Sequence, residues 1–111
     1  MKIKHQDYNN VTVVELHGEF IEEYCKPFQD EMSELVKADM AGIVLDMSKV
    51  PFIDSKGLEQ LLWLRDYCHE SKSQLKLAGL DDNIAKILEI TRIAGKLDRY
   101  EELAEAVKSF T

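Results

Sequence analysis

Residues 43–64 of the sequence, IVLDMSKVPFIDSKGLEQLLWL, contain a short apolar run, a loop and a leucine-rich segment. The apolar run at 43–47 is short for a helix and predicts a strand that is buried on both faces. The leucines recur at helical spacing and predict a helix over about 56–70. Asp54 and Ser55 therefore lie at a helix start, where backbone N–H groups are unpaired and the helix dipole is positive.

Outside this stretch, strand-like and helix-like segments alternate along the chain. β-Branched residues predict a strand at 11–16, which forms an N-terminal hairpin with a brief strand at 3–5. The remaining predictions are a helix at 22–38, a strand at 75–78, a helix at 84–90, an edge strand or coil at 97–100, and a last helix at 101–109. This order favours a single small α/β domain over residues 1–111. We expect a mixed sheet of four to five strands with about four helices packed against it.

The composition narrows the classes of function. The chain has 14 basic and 21 acidic residues and a net charge of −7, which argues against nucleic acid or an anionic membrane as a partner. Cys25 and Cys68 have no metal-ligand spacing, so no metal site is expected; two buried thiols are expected, although the sequence leaves a disulfide open. The N-terminus has no apolar leader and no stretch approaches a membrane span, so we expect a cytoplasmic protein.

Asp46 and the segment FIDSKGL at 52–58 resemble the STAS domain family, typified by bacterial anti-sigma factor antagonists. In that family, an apolar strand ending in Asp leads through a short loop to an Asp-Ser-small-Gly-Leu turn. Further similar segments are GEF at 18–20, LAG at 77–79, LEIT at 88–91 and EELA at 101–104. The resemblance implies a STAS-like fold and a regulatory, protein-binding function in transcription.

In antagonists of this family, a partner anti-sigma kinase phosphorylates the serine of the motif, and the unphosphorylated form binds the kinase and frees the sigma factor. The resemblance implies that Ser55 is the phosphorylation site and that Asp54, Lys56 and Gly57 lie at the partner-binding surface. It implies no enzymatic activity and no cofactor, because the kinase would bring nucleotide and magnesium. A phosphatase is expected to act as a second partner, and the protein is expected to be a monomer or weak dimer.

Three positions depart from the family pattern. Lys56 stands where the family has a small residue, and it would either pair with a phosphate or obstruct a partner. Ile21 replaces an acid, although Glu22 follows it directly, and Arg92 replaces a glycine. Related STAS proteins that are not phosphorylated serve in transporter or sensory assemblies. A non-phosphorylated STAS adaptor is therefore the alternative function.

Several residues have two interpretations. Ser55 is either the phosphoacceptor or only the N-cap of its helix, and free N–H groups there could receive phosphate oxygens. Asp54 either holds the loop through side-chain bonds to the backbone or faces the partner. Trp63 and Tyr67, one helical turn apart, either form a hot spot for the partner or are covered by another element, such as the third helix.

Overall fold

The computed structural model describes residues 1–110, in which strands and helices follow one another in the predicted order. The elements are β1 (Lys2–Tyr8), β2 (Val11–His17), α1 (Cys25–Leu35), β3 (Gly42–Lys49), α2 (Ser55–Glu70), β4 (Gln74–Ala78), α3 (Asp82–Ile90), β5 (Asp98–Tyr100) and α4 (Leu103–Lys108). Short 3₁₀ turns occupy Glu22–Tyr24 and Ala94–Lys96. The last strand is thus real, and the single α/β domain with a mixed sheet is confirmed.

The five strands form one sheet in the order β1-β2-β3-β4-β5. β1 pairs antiparallel with β2, and every other pair is parallel. β3 lies in the centre, and its residues from Gly42 to Leu45 are all buried. This confirms the prediction of a strand covered on both faces. Because β2 to β5 are parallel, their carboxyl ends lie at one edge of the sheet, which is the usual place for a functional site.

The helices cover the two faces of the sheet unequally. The larger apolar core contains side chains from α1, α2 and α3 together with Leu16, Leu45 and Leu77 of the sheet. The smaller core, on the other face, joins Val13 and Val44 to Ala106 of α4. α2, which begins at Ser55, belongs to the three-helix face.

α4 and the residues that follow it pack closely against the sheet. The Phe110 ring packs so tightly on Gly42 that a Cβ atom there would lie 2.7 Å from the ring atom Cε1. Lys76 is 5% exposed; its ammonium donates to Ser109 Oγ at 2.6 Å and lies 4.1 Å from the centroid of the Phe110 ring. The contact between α4 and the sheet therefore depends on Gly42, the buried Lys76 and the Phe110 ring.

Most predicted boundaries differ from the structure by one or two residues, and two differ by three or more. The helix predicted at 22–38 begins as the 3₁₀ turn and ends at Leu35, because Val36 adopts an extended conformation and is buried in the core. The first strand extends beyond 3–5 to Tyr8, because its backbone stays paired with β2 until only Asn9 and Asn10 remain for the turn. Neither change moves the start of α2.

Both cysteines are buried and free, which confirms the expected pair of buried thiols. Burial raises the pKa of Cys68 to about 11. Burial also raises the pKa of Cys25, and the negative charge of Asp54 acts in the same direction. Within residues 1–110, no helix combines the length and the apolar character needed to cross a bilayer.

Arg92 occupies a backbone conformation that suits glycine. Its φ is +63°, and the N–H of Ile93 donates to the carbonyl of Leu88, as in a Schellman motif that ends a helix. We expect Arg92→Gly to raise the free energy of unfolding by about 0.5–1 kcal/mol. The strain of arginine in the left-handed region is larger than the extra conformational entropy that glycine loses on folding. Urea denaturation measures the change.

Lys86→Gly provides the matched control, because Lys86 is an exposed residue in the interior of α3. There the same replacement is expected to destabilise the protein by about 1 kcal/mol. A loss of stability in both variants would contradict the assignment of strain to Arg92.

Candidate functional site

Asp54 and Ser55 lie at the carboxyl edge of the sheet, where the segment after β3 enters α2. Asp54 is extended and is the N-cap of α2, and its Oδ1 accepts from the Gly57 N–H at 2.8 Å. Ser55 is the first residue of the helix. The interpretation of Ser55 as the N-cap is therefore wrong, because the neighbouring carboxylate already fills that role.

The carboxylate of Asp54 also reaches a second element. Its Oδ2 accepts from the Glu22 N–H at 2.9 Å, so it caps the 3₁₀ turn that follows β2. Burial alone would raise the pKa of Asp54, but bonds from the amides of Gly57, Glu22 and Lys56 hold this pKa below the ordinary value of 3.8. Asp54 is therefore ionised at neutral pH. It holds the loop through side-chain bonds to the backbone, which is the first of the two interpretations given for it from the sequence.

This arrangement corrects the expectation that phosphate oxygens would find free amides at the start of α2. The Gly57 N–H is already bonded to Asp54, and the Lys56 amide also stabilises that carboxylate. An anion on Ser55 would therefore compete with a resident carboxylate for these amides.

The residues after β2, 18–22, run beside the segment 49–54 that leads into α2. Gly18 N–H donates to the Lys49 carbonyl at 3.0 Å, and Phe20 N–H donates to the Phe52 carbonyl at 2.9 Å. Asp54 N–H donates back to the Phe20 carbonyl at 3.2 Å. We call residues 18–22 the β2–α1 loop. Its backbone fixes the position of the helix start.

Gly57 allows the β2–α1 loop to approach α2. A Cβ atom on Gly57 would lie 2.4 Å from the Phe20 carbonyl oxygen and 2.6 Å from Ile53 Cγ1. Gly57 is buried, so it supports the surface from beneath. The sequence did not reveal this role, although a glycine in the first turn of a helix is a signal, because helix propensity disfavours it.

Ser55 and Lys56 are both exposed at the start of α2. The Ser55 hydroxyl makes no hydrogen bond with any other residue in the described part of the chain, residues 1–110. The Lys56 ammonium lies 3.5 Å from Glu59 Oε2, one turn further along the helix. The Lys56 side chain is thus held beside Glu59, and the Ser55 hydroxyl is open to a partner.

The surface around Ser55 combines an apolar side chain with acids. Phe52 is 44% exposed, and sequence analysis did not select it. Glu19, Glu22 and Glu23 are exposed on the adjoining chain. A large exposed aromatic residue beside charged side chains is typical of a surface that binds another protein.

Trp63 and Tyr67 lie further along α2 and are half-buried. Their rings stack with centroids 5.1 Å apart, and the Tyr67 hydroxyl donates to the Ser33 carbonyl of α1 at 3.4 Å. Tyr67 is therefore covered in part by α1. Trp63 is about 12 Å from Ser55 along the helix axis.

A concave site occurs elsewhere on the molecule. A cleft of about 540 Å³ lies between α3 and β5, with Leu80, Leu97, Arg99 and Glu101 among its lining residues. None of its lining residues belongs to the motif around Ser55. The exposed helix start suits a macromolecular partner better than a small ligand, which usually binds in a cleft.

The STAS domain model matches residues 2–106. The chain matches none of the curated proteins with which it was compared.

Solved structures share the fold at low sequence identity. An anti-sigma factor antagonist from Mycobacterium paratuberculosis is 18% identical, with a TM-score of 0.87 over 98% of this chain and 92% of that chain. A sulfate transporter family protein from Wolinella succinogenes is 19% identical, with a TM-score of 0.82 over 93% of this chain and 86% of that chain. The phosphorylated form of the Bacillus cell fate determinant SpoIIAA is 13% identical, with a TM-score of 0.75 over 99% of this chain and 100% of that chain. These likenesses show the fold.

Proposed function

This chain belongs to the STAS domain family, and from that premise we propose that it is an anti-sigma factor antagonist controlled by phosphorylation of Ser55. The unphosphorylated form binds an anti-sigma serine kinase, the kinase releases it by phosphorylating Ser55, and a phosphatase restores it. The observation that carries the proposal is the exposed Ser55 hydroxyl, unbonded within the described chain, at the start of a well-anchored helix. The likeness to anti-sigma factor antagonists supports it.

Release follows from the charge around the hydroxyl. A phosphate adds about −1.5 to −2 charge. It would lie beside the Asp54 carboxylate and close to the exposed Glu22. Closing an interface over this group would remove water from a dianion that is already repelled by neighbouring carboxylates, and this disfavours the complex.

The partner-binding surface that we propose starts at Asp54, Ser55 and Lys56 and continues along α2 to Trp63 and Tyr67. Gly57 contributes from beneath by setting the position of the helix start. The protein carries no catalytic residue and no cofactor of its own in this scheme, since the kinase supplies nucleotide and magnesium. It acts in the cytoplasm, as a monomer or weak dimer.

Substitution of Ser55 tests the proposal. The ATP-binding partner is first captured from the host by pull-down with this protein. Ser55→Asp is expected to weaken binding of this partner at least about tenfold, which corresponds to about 1.4 kcal/mol, because it places a charge inside the contact surface. Ser55→Ala is expected to retain the affinity. Isothermal titration calorimetry measures both affinities, and mass spectrometry of the protein from its host is expected to find phosphate on Ser55.

Asn9→Asp is the control for added charge, because it introduces a carboxylate at the exposed hairpin turn, at the opposite edge of the sheet from the start of α2. This variant should bind like the unaltered protein. Equal affinities for Ser55→Asp and Ser55→Ala would contradict the switch, whereas the fold assignment would stand.

A second function, a non-phosphorylated STAS adaptor in a transporter or sensory assembly, is favoured by the likeness to the sulfate transporter family protein. The large Lys56 beside the serine, where the family has a small residue, is also compatible with it. This function predicts protein without phosphate on Ser55 when isolated from its host. It also predicts that co-purification yields a partner without an ATP-binding domain.

A further inference from the structure

We infer that Asp54 transmits a charge on Ser55 to the chain around Glu22, by releasing the Glu22 amide when Ser55 is phosphorylated. The inference deepens the proposed function and depends on it for the modification itself. Its basis is one carboxylate with two tasks: Oδ1 accepts from the first turn of α2 at Gly57, and Oδ2 accepts from the start of the 3₁₀ turn at Glu22.

The Asp54 side chain links the start of α2 to the start of the 3₁₀ turn at Glu22 through its two hydrogen bonds. Within residues 1–110, its bond to the Glu22 N–H is the one side-chain hydrogen bond that joins the chain between β2 and α1 to the start of α2. Ile21, the residue that precedes the 3₁₀ turn, offers no capping side chain. The amide of Glu22 therefore depends on a carboxylate 32 positions away in the sequence.

A phosphate on Ser55 would act directly on the hydrogen bonds of the Asp54 carboxylate. It would place about −1.5 to −2 charge on the residue next to Asp54. The amides of Gly57 and Lys56, which stabilise the carboxylate, belong to the first turn of α2, where N–H groups also attract phosphate oxygens. The ammonium of Lys56, the residue after the serine, lies 3.5 Å from Glu59 Oε2. Loss of the bond from the Gly57 amide would free the Asp54 side chain to rotate, and repulsion by the phosphate favours a rotated carboxylate that no longer reaches the Glu22 amide.

The change is confined to a short segment. The bonds of Gly18 and Phe20 to the segment 49–54 use backbone atoms, so loss of the carboxylate leaves them in place. The segment that loosens carries Ile21 and the exposed acids Glu22 and Glu23. Phosphorylation would thus alter a segment next to the proposed partner surface, in addition to the serine itself.

Amide hydrogen exchange measured by NMR tests the inference. Phosphoserine is incorporated at position 55 during synthesis, and its spectra are compared with those of the Ser55 protein. We expect the Glu22 amide to exchange about tenfold faster with the phosphate present, since a local hydrogen bond then opens more readily. The Phe20 amide, bonded to the Phe52 carbonyl, is the internal control and is expected to keep its rate.

Asp54→Asn and Asp54→Ser separate this coupling from a purely structural role. Each replacement retains one acceptor oxygen for the helix cap, and neither can hold both amides as the carboxylate does. In both variants the Glu22 amide is expected to exchange rapidly, with no further change on phosphorylation. An unchanged Glu22 rate in phosphorylated protein with Asp54 intact would overturn the inference, and so would an undiminished phosphate effect in the two variants.

The exchange measurement needs no kinase and no partner. A failed coupling would therefore leave phosphorylation-controlled binding intact. Absence of phosphate on Ser55 in the host would contradict the proposed function but would not affect the measured coupling.

Discussion

Gly57→Ala is expected to lower the free energy of unfolding by about 3 kcal/mol, because it forces an added methyl group into a packed position. The added Cβ would lie 2.4 Å from the Phe20 carbonyl oxygen, which is backbone and cannot rotate away. A loss of this size is a large share of the 5–15 kcal/mol that typical domains have. Urea denaturation followed by circular dichroism measures the loss.

Gly95→Ala is the matched control. Gly95 lies in the second 3₁₀ turn, and a Cβ atom on it would meet no heavy atom within 4 Å. This variant is expected to change stability by less than about 1 kcal/mol, toward greater stability, because alanine restricts the unfolded chain. Similar losses in the two variants would show that close packing does not explain the glycine in the motif.

Gly42→Ala is the second substitution with a large expected effect, again a loss of about 3 kcal/mol or more. Gly42 pairs with Gln74 in the centre of the sheet, and its added Cβ would meet the Gln74 carbonyl oxygen as well as the Phe110 ring. We expect α4 to detach first, since the Phe110 ring moves more easily than a strand. Hydrogen exchange over residues 103–110 would report this detachment separately from global unfolding.

A double-mutant cycle with Phe110→Ala divides the loss between its two causes. Removing the ring frees space beside Gly42 but leaves the Gln74 carbonyl in place. Gly42→Ala should therefore cost less in the Phe110→Ala background than alone, and still cost something. An equal cost in both backgrounds would mean that the ring does not limit this position.

Local patterns in the sequence predicted the architecture. The apolar run of β3 and the leucine spacing of α2 were identified correctly, because burial on one or both faces leaves a periodic signal. Asp81, which directly precedes α3, is its N-cap, and its Oδ1 accepts from the Ile84 N–H at 2.8 Å. Capping is visible in sequence when donor and acceptor are three residues apart.

The long-range contacts that position Ser55 were not predicted from the sequence, because they join separate segments of the chain. Asp54 bonds the amide of Glu22, 32 positions earlier in the chain, and Gly57 contacts the carbonyl of Phe20. No periodicity records such contacts between separate segments. β1 was predicted too short for a related reason: its residues are mostly exposed, so pairing with β2 rather than an apolar pattern maintains it.

The stacked pair on α2 gives the protein an intrinsic optical reporter. Trp63 is the only tryptophan in the sequence, and its ring is 5.1 Å from that of Tyr67 and nearly parallel to it. Light absorbed by this tyrosine therefore passes efficiently to a single emitter, the half-buried Trp63 of α2. The wavelength and intensity of tryptophan fluorescence depend on how far the Trp63 ring is exposed to water. Binding of a partner at the proposed surface is therefore measurable from this fluorescence, without an added dye.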